Sequence, residues 1–344
     1  MKYLIVGQGL AGTLLAHQFE EHGIDYTIID RGNNESSRIA AGIINPIVFR
    51  RVTKSWLVDE CMEELVPCYQ RIEQKLGVTF LFSRTIRRAF SSEQEVESWE
   101  KKSAESSFSK YITLPKDKID APEYLNAPFG NGTVNNVYYV DTKLFIDSNK
   151  AYFIRKGVYV DHDIDYNTIN ETGYVLGGNL YSHIVFCEGY RNIYNPYFNH
   201  LPINSTKGQV LDLEVFGTIP KSEILNRKCF LLQLDNNVFK AGATYEWNTP
   251  DTLITEEAKT DLETKIAHLI PFSFNIIHQE AGIRPTTLDR RPIMGQHPVH
   301  NHLYIFNGLG TKGYMLGPLM AKQFVAYIRN GDELNKEVKI SRFI

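Results

Sequence analysis

The first thirty residues restrict this chain more than any other stretch. Tyr3-Leu4-Ile5-Val6 is an apolar run that reads as a buried parallel strand. It ends in Gly7-Gln8-Gly9-Leu10-Ala11-Gly12, the spacing GxGxxG, and Leu14, Leu15, Gln18 and Phe19 then follow a helical pattern that Gly23 stops. A second strand, Tyr26-Thr27-Ile28-Ile29, finishes at Asp30. Each part has a physical task in a dinucleotide site. Gly7 permits the tight turn, Gly9 lets a pyrophosphate approach the backbone, and Gly12 lets helix and strand pack closely. The helix N-terminus offers free N–H groups and positive dipole to phosphates. Asp30, at the end of the second strand, can accept from ribose hydroxyls. The motif alone leaves NAD and FAD equally open.

The rest of the chain narrows the class. At 344 residues two domains are expected, and 43% apolar with 22% charged residues is a globular composition. A net charge of −3 gives no global basic field to draw nucleic acid or anionic lipid, although a local patch is compatible with it. No apolar run has the length of a membrane span. The first strand begins at residue 2 or 3, leaving no room for a signal peptide, which points to the cytoplasm. Cys61, Cys68, Cys187 and Cys229 form no CxxC pair, so neither a metal site nor a disulfide framework is expected. Cys61 and Cys68 belong on the buried face of one helix. The Asn-x-Thr sequons at Asn131 and Asn204 are chance matches in a cytoplasmic protein.

Further along, Ile39-Ala40-Ala41-Gly42-Ile43-Ile44-Asn45-Pro46 is either backbone held against something flat or a tight loop packed on its own domain. Leu57, Cys61, Leu65, Cys68, Ile72 and Leu76 make one apolar helix stripe, which Pro67 should kink or split. Residues 78–130 carry short strand-like runs (79–82 and 85–90), a charged helix near 92–106 and a loop rich in Pro, Asp and Asn; they read as an insertion. The βαβ rhythm should return with Tyr138–Val140, a helix to about Arg155 and a strand at Val158–Val160. Tyr174–Leu176 and Ile184–Phe186 look like strands. From Lys207 the pattern is β-rich, with a helix over about 256–270. A strand at Leu303–Phe306, a glycine loop and a helix from Tyr314 then make a second candidate anion site.

This architecture resembles the D-amino acid oxidase/glycine oxidase family of FAD flavoproteins. GQGLAG with Asp30-Arg31, AAGII at 40–44, VFCEGY at 185–190 and GIRPTTLDRRPIMG at 282–295, followed by GLGTKGYMLGP at 308–318, carry the resemblance in the family's order. KGQVLDL at 207–213 and AGATYEW at 241–247 are similar to segments of its substrate domain. The resemblance implies an α/β fold, with a Rossmann-like FAD-binding domain (1–77, 135–204 and 281–344) interleaved with a β-rich α+β substrate domain (78–134 and 205–280). It implies FAD, with Gly7, Gly9, Leu10, Ala11 and Gly12 at the pyrophosphate and Asp30 with Arg31 at the adenosine. Ile164 would lie near the adenine, and Cys187 and Gly189 would border the cofactor. Ala41, Gly42 and Ile43 would line the isoalloxazine, and Gly310, Thr311, Lys312, Gly313 and Tyr314 would cap its pyrimidine end. Positive charge there favours reduction, and Lys312 either adds it or is a surface lysine.

Arg284 matches the family arginine that grips a substrate carboxylate; a guanidinium does so bidentately and stays charged. The structural alternative pairs Arg284 with Asp289 or Glu280, while Arg290 and Arg291 serve packing or solvent. Arg50, Arg51 and Lys54 either add charge at the pocket mouth or form a solvated face. Neither 281–288 nor 308–318 contains the flavin-linking cysteine of the sarcosine oxidase branch, so noncovalent FAD is expected. A tyrosine common in the family's substrate domain falls on Phe230, and Tyr245 is the candidate replacement. The implied reaction oxidises the C–N bond of a small amino acid or amine by hydride transfer to flavin N5, without a dedicated protein base. The resulting imine hydrolyses, and oxygen or another acceptor takes the electrons. Two alternatives stand beside it. One is an FAD-dependent enzyme that removes a carboxymethyl group from a wobble uridine of tRNA; the other is an NAD-dependent dehydrogenase or a non-catalytic nucleotide binder. Arg284 and the 308–318 loop argue against the last.

Overall fold

The computed structural model describes residues 1–32, 35–115 and 121–343. The strand Lys2–Val6, with Leu4 and Ile5 fully buried, lies between two parallel neighbours, Asp25–Asp30 and His183–Phe186. Such a strand has no solvent face, which is why its sequence is continuously apolar. Among the described residues it is central to a six-stranded sheet. The order is Ile293–Gln296, Leu303–Asn307, His183–Phe186, Lys2–Val6, Asp25–Asp30 and Tyr159–Asp161, and only Ile293–Gln296 runs antiparallel to its neighbour. Helices Leu10–Glu21, Val58–Leu76, Thr142–Arg155 and Gly313–Asn330 pack with this sheet into one apolar core. The right order of chemistry follows: Gly7, Cys187 and Gly308 each come directly after a parallel strand or one residue beyond it, so their loops share one edge.

Among the described residues the second sheet has ten strands. Its longest members, Ile203–Val215 and Phe274–Thr287, pair antiparallel from Ile203 opposite Thr287 to Val215 opposite Phe274. Helix Glu256–Ala267 covers part of it through Leu262 and Ile266, both fully buried. Among the described residues, no helix is long and apolar enough to cross a membrane.

One alternative and one expectation are corrected. Pro67 does not split the helix, since Val58–Leu76 is continuous with Pro67 inside it. Pro67 lies on the exposed face, so the carbonyl its missing N–H would have served is left to water. Cys61, Leu65, Cys68, Tyr69 and Ile72 anchor the helix on both sides of it. Tyr138–Val140 does not open a βαβ unit. It ends the ten-residue strand Asn131–Val140 of the larger sheet, which pairs with Leu81–Ala89 and with Ile43–Ile44. The Asp141 carboxylate then accepts from the Leu144 amide and starts helix Thr142–Arg155, which returns the chain to the smaller sheet.

The first turn depends on contact more than on conformation. A Cβ at Gly12 would fall on the carbonyl oxygen of Gly7 and lie 3.2 Å from the Ile5 side chain. Both obstacles sit on fixed backbone or in the core, so relief requires moving the helix off the strand. Gly12→Ala should therefore destabilise the protein by about 3 kcal/mol, the upper end for overpacking. Urea denaturation of the purified variant checks this; a midpoint equal to that of the parent would show that the contact is dispensable.

Candidate functional site

Loops at the shared edge of the smaller sheet meet the inner strands of the larger one around a cavity of about 1440 Å³. Small-ligand pockets span about 300–1000 Å³, so this one has room for an extended cofactor together with a substrate. Gly7, Gly9, Leu10, Ala11, Asp30, Arg31, Ala41, Gly42, Ile43, Ile164, Cys187 and Gly189 line it, as do Gly310, Thr311, Lys312, Gly313, Tyr314, Arg284, Phe230 and Tyr245. Gly12 does not; it is the close-packing glycine under the turn.

At the amino-terminal turn, Gly7 has φ +103°, and its amide donates to Ile29 O at 2.8 Å. Two amides of this turn, that of Gln8 and that of Leu10 (the latter expected at the pyrophosphate), are already engaged. The Gln8 amide donates to Asp30 Oδ2 at 2.7 Å, and the Leu10 amide donates to Ser37 Oγ at 3.0 Å. Asp30 Oδ1 accepts from the Gly32 amide at 2.6 Å. Burial raises the Asp30 carboxyl above the usual range, and the two backbone amides oppose that. Each oxygen keeps a lone pair for a further donor. Arg31 is tied to Asp163, with Nε to Oδ1 at 2.7 Å, and both side chains are half exposed. Its charge is thus neutralised at the cavity rim. Burial pushes the Cys187 thiol well above its ordinary value.

At the other glycine loop Lys312 is not a surface lysine. Its Nζ donates to Asn45 O at 2.8 Å and to Ser55 Oγ, and no carboxylate among the described residues pairs with it. Burial pushes this ammonium down to about 8. Tyr314 turns its hydroxyl to Ser37 O, at 2.8 Å, and so ties the last long helix to the segment after Asp30. Gly42, at φ +67°, passes Val140 O too closely for any Cβ, which places the Ala41–Ile43 backbone on the cavity wall.

Arg284 stands in the strand Phe274–Thr287, opposite Thr206. Its guanidinium lies 5.0 Å from the Tyr245 ring centre, and Nη1 makes a long hydrogen bond of 3.4 Å to Thr244 O. The ion-pair alternative fails: Asp289 is held by Arg342 at 2.9 Å, and Glu280 by Lys240 at 3.7 Å. Burial lowers the Arg284 pKa, so this is a desolvated cation with only neutral protein acceptors. Phe230 packs its ring beside Gly242, and Tyr245 is 43% exposed at the mouth. Arg290, assigned to packing or solvent, lines the cavity with Arg50. Arg291 lines it too, while pairing with Glu337 and covering Trp56. Lys54 is taken by Asp59.

Sequence reasoning passed over two residues. Ser37 meets both the first turn and Tyr314 through its side chain and backbone, and nothing in the run Glu35-Ser36-Ser37-Arg38 distinguishes it. Glu188 lines the cavity between Cys187 and Gly189. Burial pushes its carboxyl up to about 7, although Tyr166 Oη and Asn195 Nδ2 (2.7 Å) donate to it. The only signal was its place in the small-x-Gly turn.

An extended dinucleotide fits this donor set, with an acceptor at Asp30 and an uncompensated buried cation at Lys312. The depressed Lys312 pKa carries a sign that can be measured without any ligand. Between about 8 and the ordinary 10.5 the unfolded chain binds the proton and the folded one does not. Apoprotein stability should therefore rise with pH across that window. In Lys312→Met the rise should be smaller than in the parent, compared as urea midpoints at the two ends. Equal slopes would mean that Lys312 titrates normally.

The sequence profile of the family DAO, FAD dependent oxidoreductase, matches residues 2–327. The tRNA 5-methylaminomethyl-2-thiouridine biosynthesis bifunctional protein MnmC of Legionella pneumophila (strain Corby) is 24% identical over 389 aligned residues. That alignment covers 98% of this chain and 54% of the relative, so the chain spans about half that protein's length. The crystal structure of glycine oxidase from Geobacillus kaustophilus superposes with a TM-score of 0.80 at 19% identity, covering 96% of this chain and 95% of that one. L-proline dehydrogenase from P. horikoshii gives a TM-score of 0.80 at 15% identity, covering 98% and 94%. The match across nearly the whole chain sets aside the NAD reading: the protein belongs to the DAO family of FAD dependent oxidoreductases, and its cofactor is FAD.

Proposed function

We propose that the protein oxidises the C–N bond of a small amine bearing a carboxylate, in the manner of a glycine, sarcosine or D-amino acid oxidase. The reading rests on Arg284, a desolvated guanidinium in the cavity with no carboxylate among the described residues to neutralise it. A substrate carboxylate would complete it bidentately, in charge-assisted hydrogen bonds worth roughly 1.5–3 kcal/mol. Bound FAD supplies the acceptor for the hydride leaving the α-carbon. The protein's part is positioning. Arg284 fixes one end of the substrate and so fixes the direction of its Cα–H. Phe230, Ile86 and Ile224 give that part of the cavity an apolar wall that excludes water. Asp30 would hold the adenosine ribose, and the 310–314 loop, with Lys312, would face the pyrimidine. In this reading 1–77, 135–204 and 281–344 serve the cofactor, and 78–134 with 205–280 serve the substrate.

One observation favours a second reading, in which the C–N unit is carried on a modified tRNA base. Arg50, Arg191 and Arg290 line the cavity without an ion-pair partner among the described residues. Beside them Tyr194 and Trp247 are 64% and 50% exposed. Cations interleaved with exposed aromatic rings suit phosphates and unstacked bases.

Anaerobic mixing of the holoenzyme with glycine, sarcosine, D-amino acids, imino acids and wobble-modified tRNA separates the two. On the first reading a free amino acid bleaches the flavin absorbance, and Arg284→Ala lowers kcat/KM by about a hundredfold while retaining FAD. Bleaching by the tRNA alone, weakened by salt and by Arg50→Ala with Arg290→Ala, would replace the first reading with the second. An Arg284→Ala protein as active as the parent would remove the carboxylate grip from either.

A further inference from the structure

Arg284 and Gly208 are diagonal neighbours on one face of the same antiparallel pair, since Thr206 lies opposite Arg284 and Gly208 opposite Gly282. The Arg284 side chain crosses Gly208 so closely that a Cβ there would fall deep inside van der Waals contact with Nη1, Nη2 and Cζ together. The Tyr245 ring is a second neighbour, its centre 5.0 Å from the guanidinium carbon. The guanidinium is therefore bordered by a glycine backbone and by an aromatic ring. Thr244 O takes one N–H, and the remaining ones have no protein acceptor among the described residues.

Gly208 has no left-handed φ that would require glycine. Its backbone sits in the middle of the strand Ile203–Val215, where glycine weakens pairing and alanine is easily accepted. The three atoms a methyl group would meet first all belong to the far end of one flexible side chain. The cost of a side chain at 208 thus falls on the position of Arg284 and not on the fold.

We propose that Gly208 is a positioning residue, the bare floor that sets the height and plane of the Arg284 guanidinium in the substrate end of the cavity. With the Tyr245 ring also beside it, the guanidinium has little room to yield, and a Cβ at 208 displaces it from its present position. The proposal rests on the reading of Arg284 as the carboxylate grip.

The test uses holoenzyme and benzoate, titrated against the flavin absorbance as a simple carboxylate probe. Gly208→Ala should keep the parent's FAD content and melting temperature while raising the benzoate Kd at least about tenfold. In an Arg284→Lys background the same alanine should change the Kd little, because a slender ammonium stem does not need the bare floor. Unchanged benzoate affinity in Gly208→Ala would overturn the proposal alone. So would an equal loss in both backgrounds, or loss of flavin and a lowered melting temperature, since these mark an ordinary structural glycine. If the parent itself shows no benzoate-dependent shift, the carboxylate reading fails and this proposal with it.

Discussion

The antiparallel ladder between Ile203–Val215 and Phe274–Thr287 is the constraint on which the site depends. It is the longest pairing in the molecule, and it fixes which side chains share a face. A slip of one residue would turn Arg284 away from Gly208 and out of the cavity. Polar contacts on the ladder oppose such a slip. Lys207, nearly fully buried, is held by Asp251 at 2.8 Å, and the Gln209 amide donates to Thr244 Oγ1 at 2.9 Å. The second contact also places the residue next to Tyr245. Strand register, the aromatic face and the arginine are thereby set by one group of interactions. The ladder's Thr286-Thr287 end reaches the 308–313 loop: a Cβ on Gly308 would meet the Thr287 methyl. The Arg284 end of the cavity and the 308–313 loop are thus referred to the same two strands.

Much of this was legible because several elements leave marks that are local in sequence. A strand buried on both faces is a continuous apolar run, as in Leu4-Ile5-Val6 and Ile184-Val185-Phe186. A turn without room for a Cβ demands glycine, as at Gly7 and Gly12. The helix stripe from Cys61 to Ile72 was read correctly as buried, and of the two outcomes left open at Pro67 the split does not occur. That outcome depends on which face the proline occupies, and a proline on the solvent side interrupts little. Tyr138–Val140 was misplaced for another reason. A strand and the helix after it look alike whether the strand belongs to one sheet or the other, and only pairing with Leu81–Ala89 decides it.

The residues that escaped detection are those whose role comes from partners far along the chain. Ser37 matters because Leu10 and Tyr314 converge on it, and Glu188 because Tyr166 and Asn195 do. Lys312 stood in a recognised loop, yet its burial could not be read there. It follows from Asn45 and Ser55 closing over the ammonium. A side chain's charge is in the sequence; whether that charge keeps its water is a property of the fold.

That distinction bears on what the cavity selects. The molecule carries a net charge of −3, whereas Arg284 and Lys312 each place a desolvated cation in the cavity with neutral partners. The two facts do not conflict, because fields between exposed charges decay over about 8 Å at physiological salt, while buried charges are screened far less. Acidic residues on the outer surface therefore do little to offset the interior. Inside, each cation is drawn partly out of water and has no ion-pair partner among the described residues, and that state costs stability unless a ligand relieves it. An anionic group that enters gains attraction and also removes part of that cost.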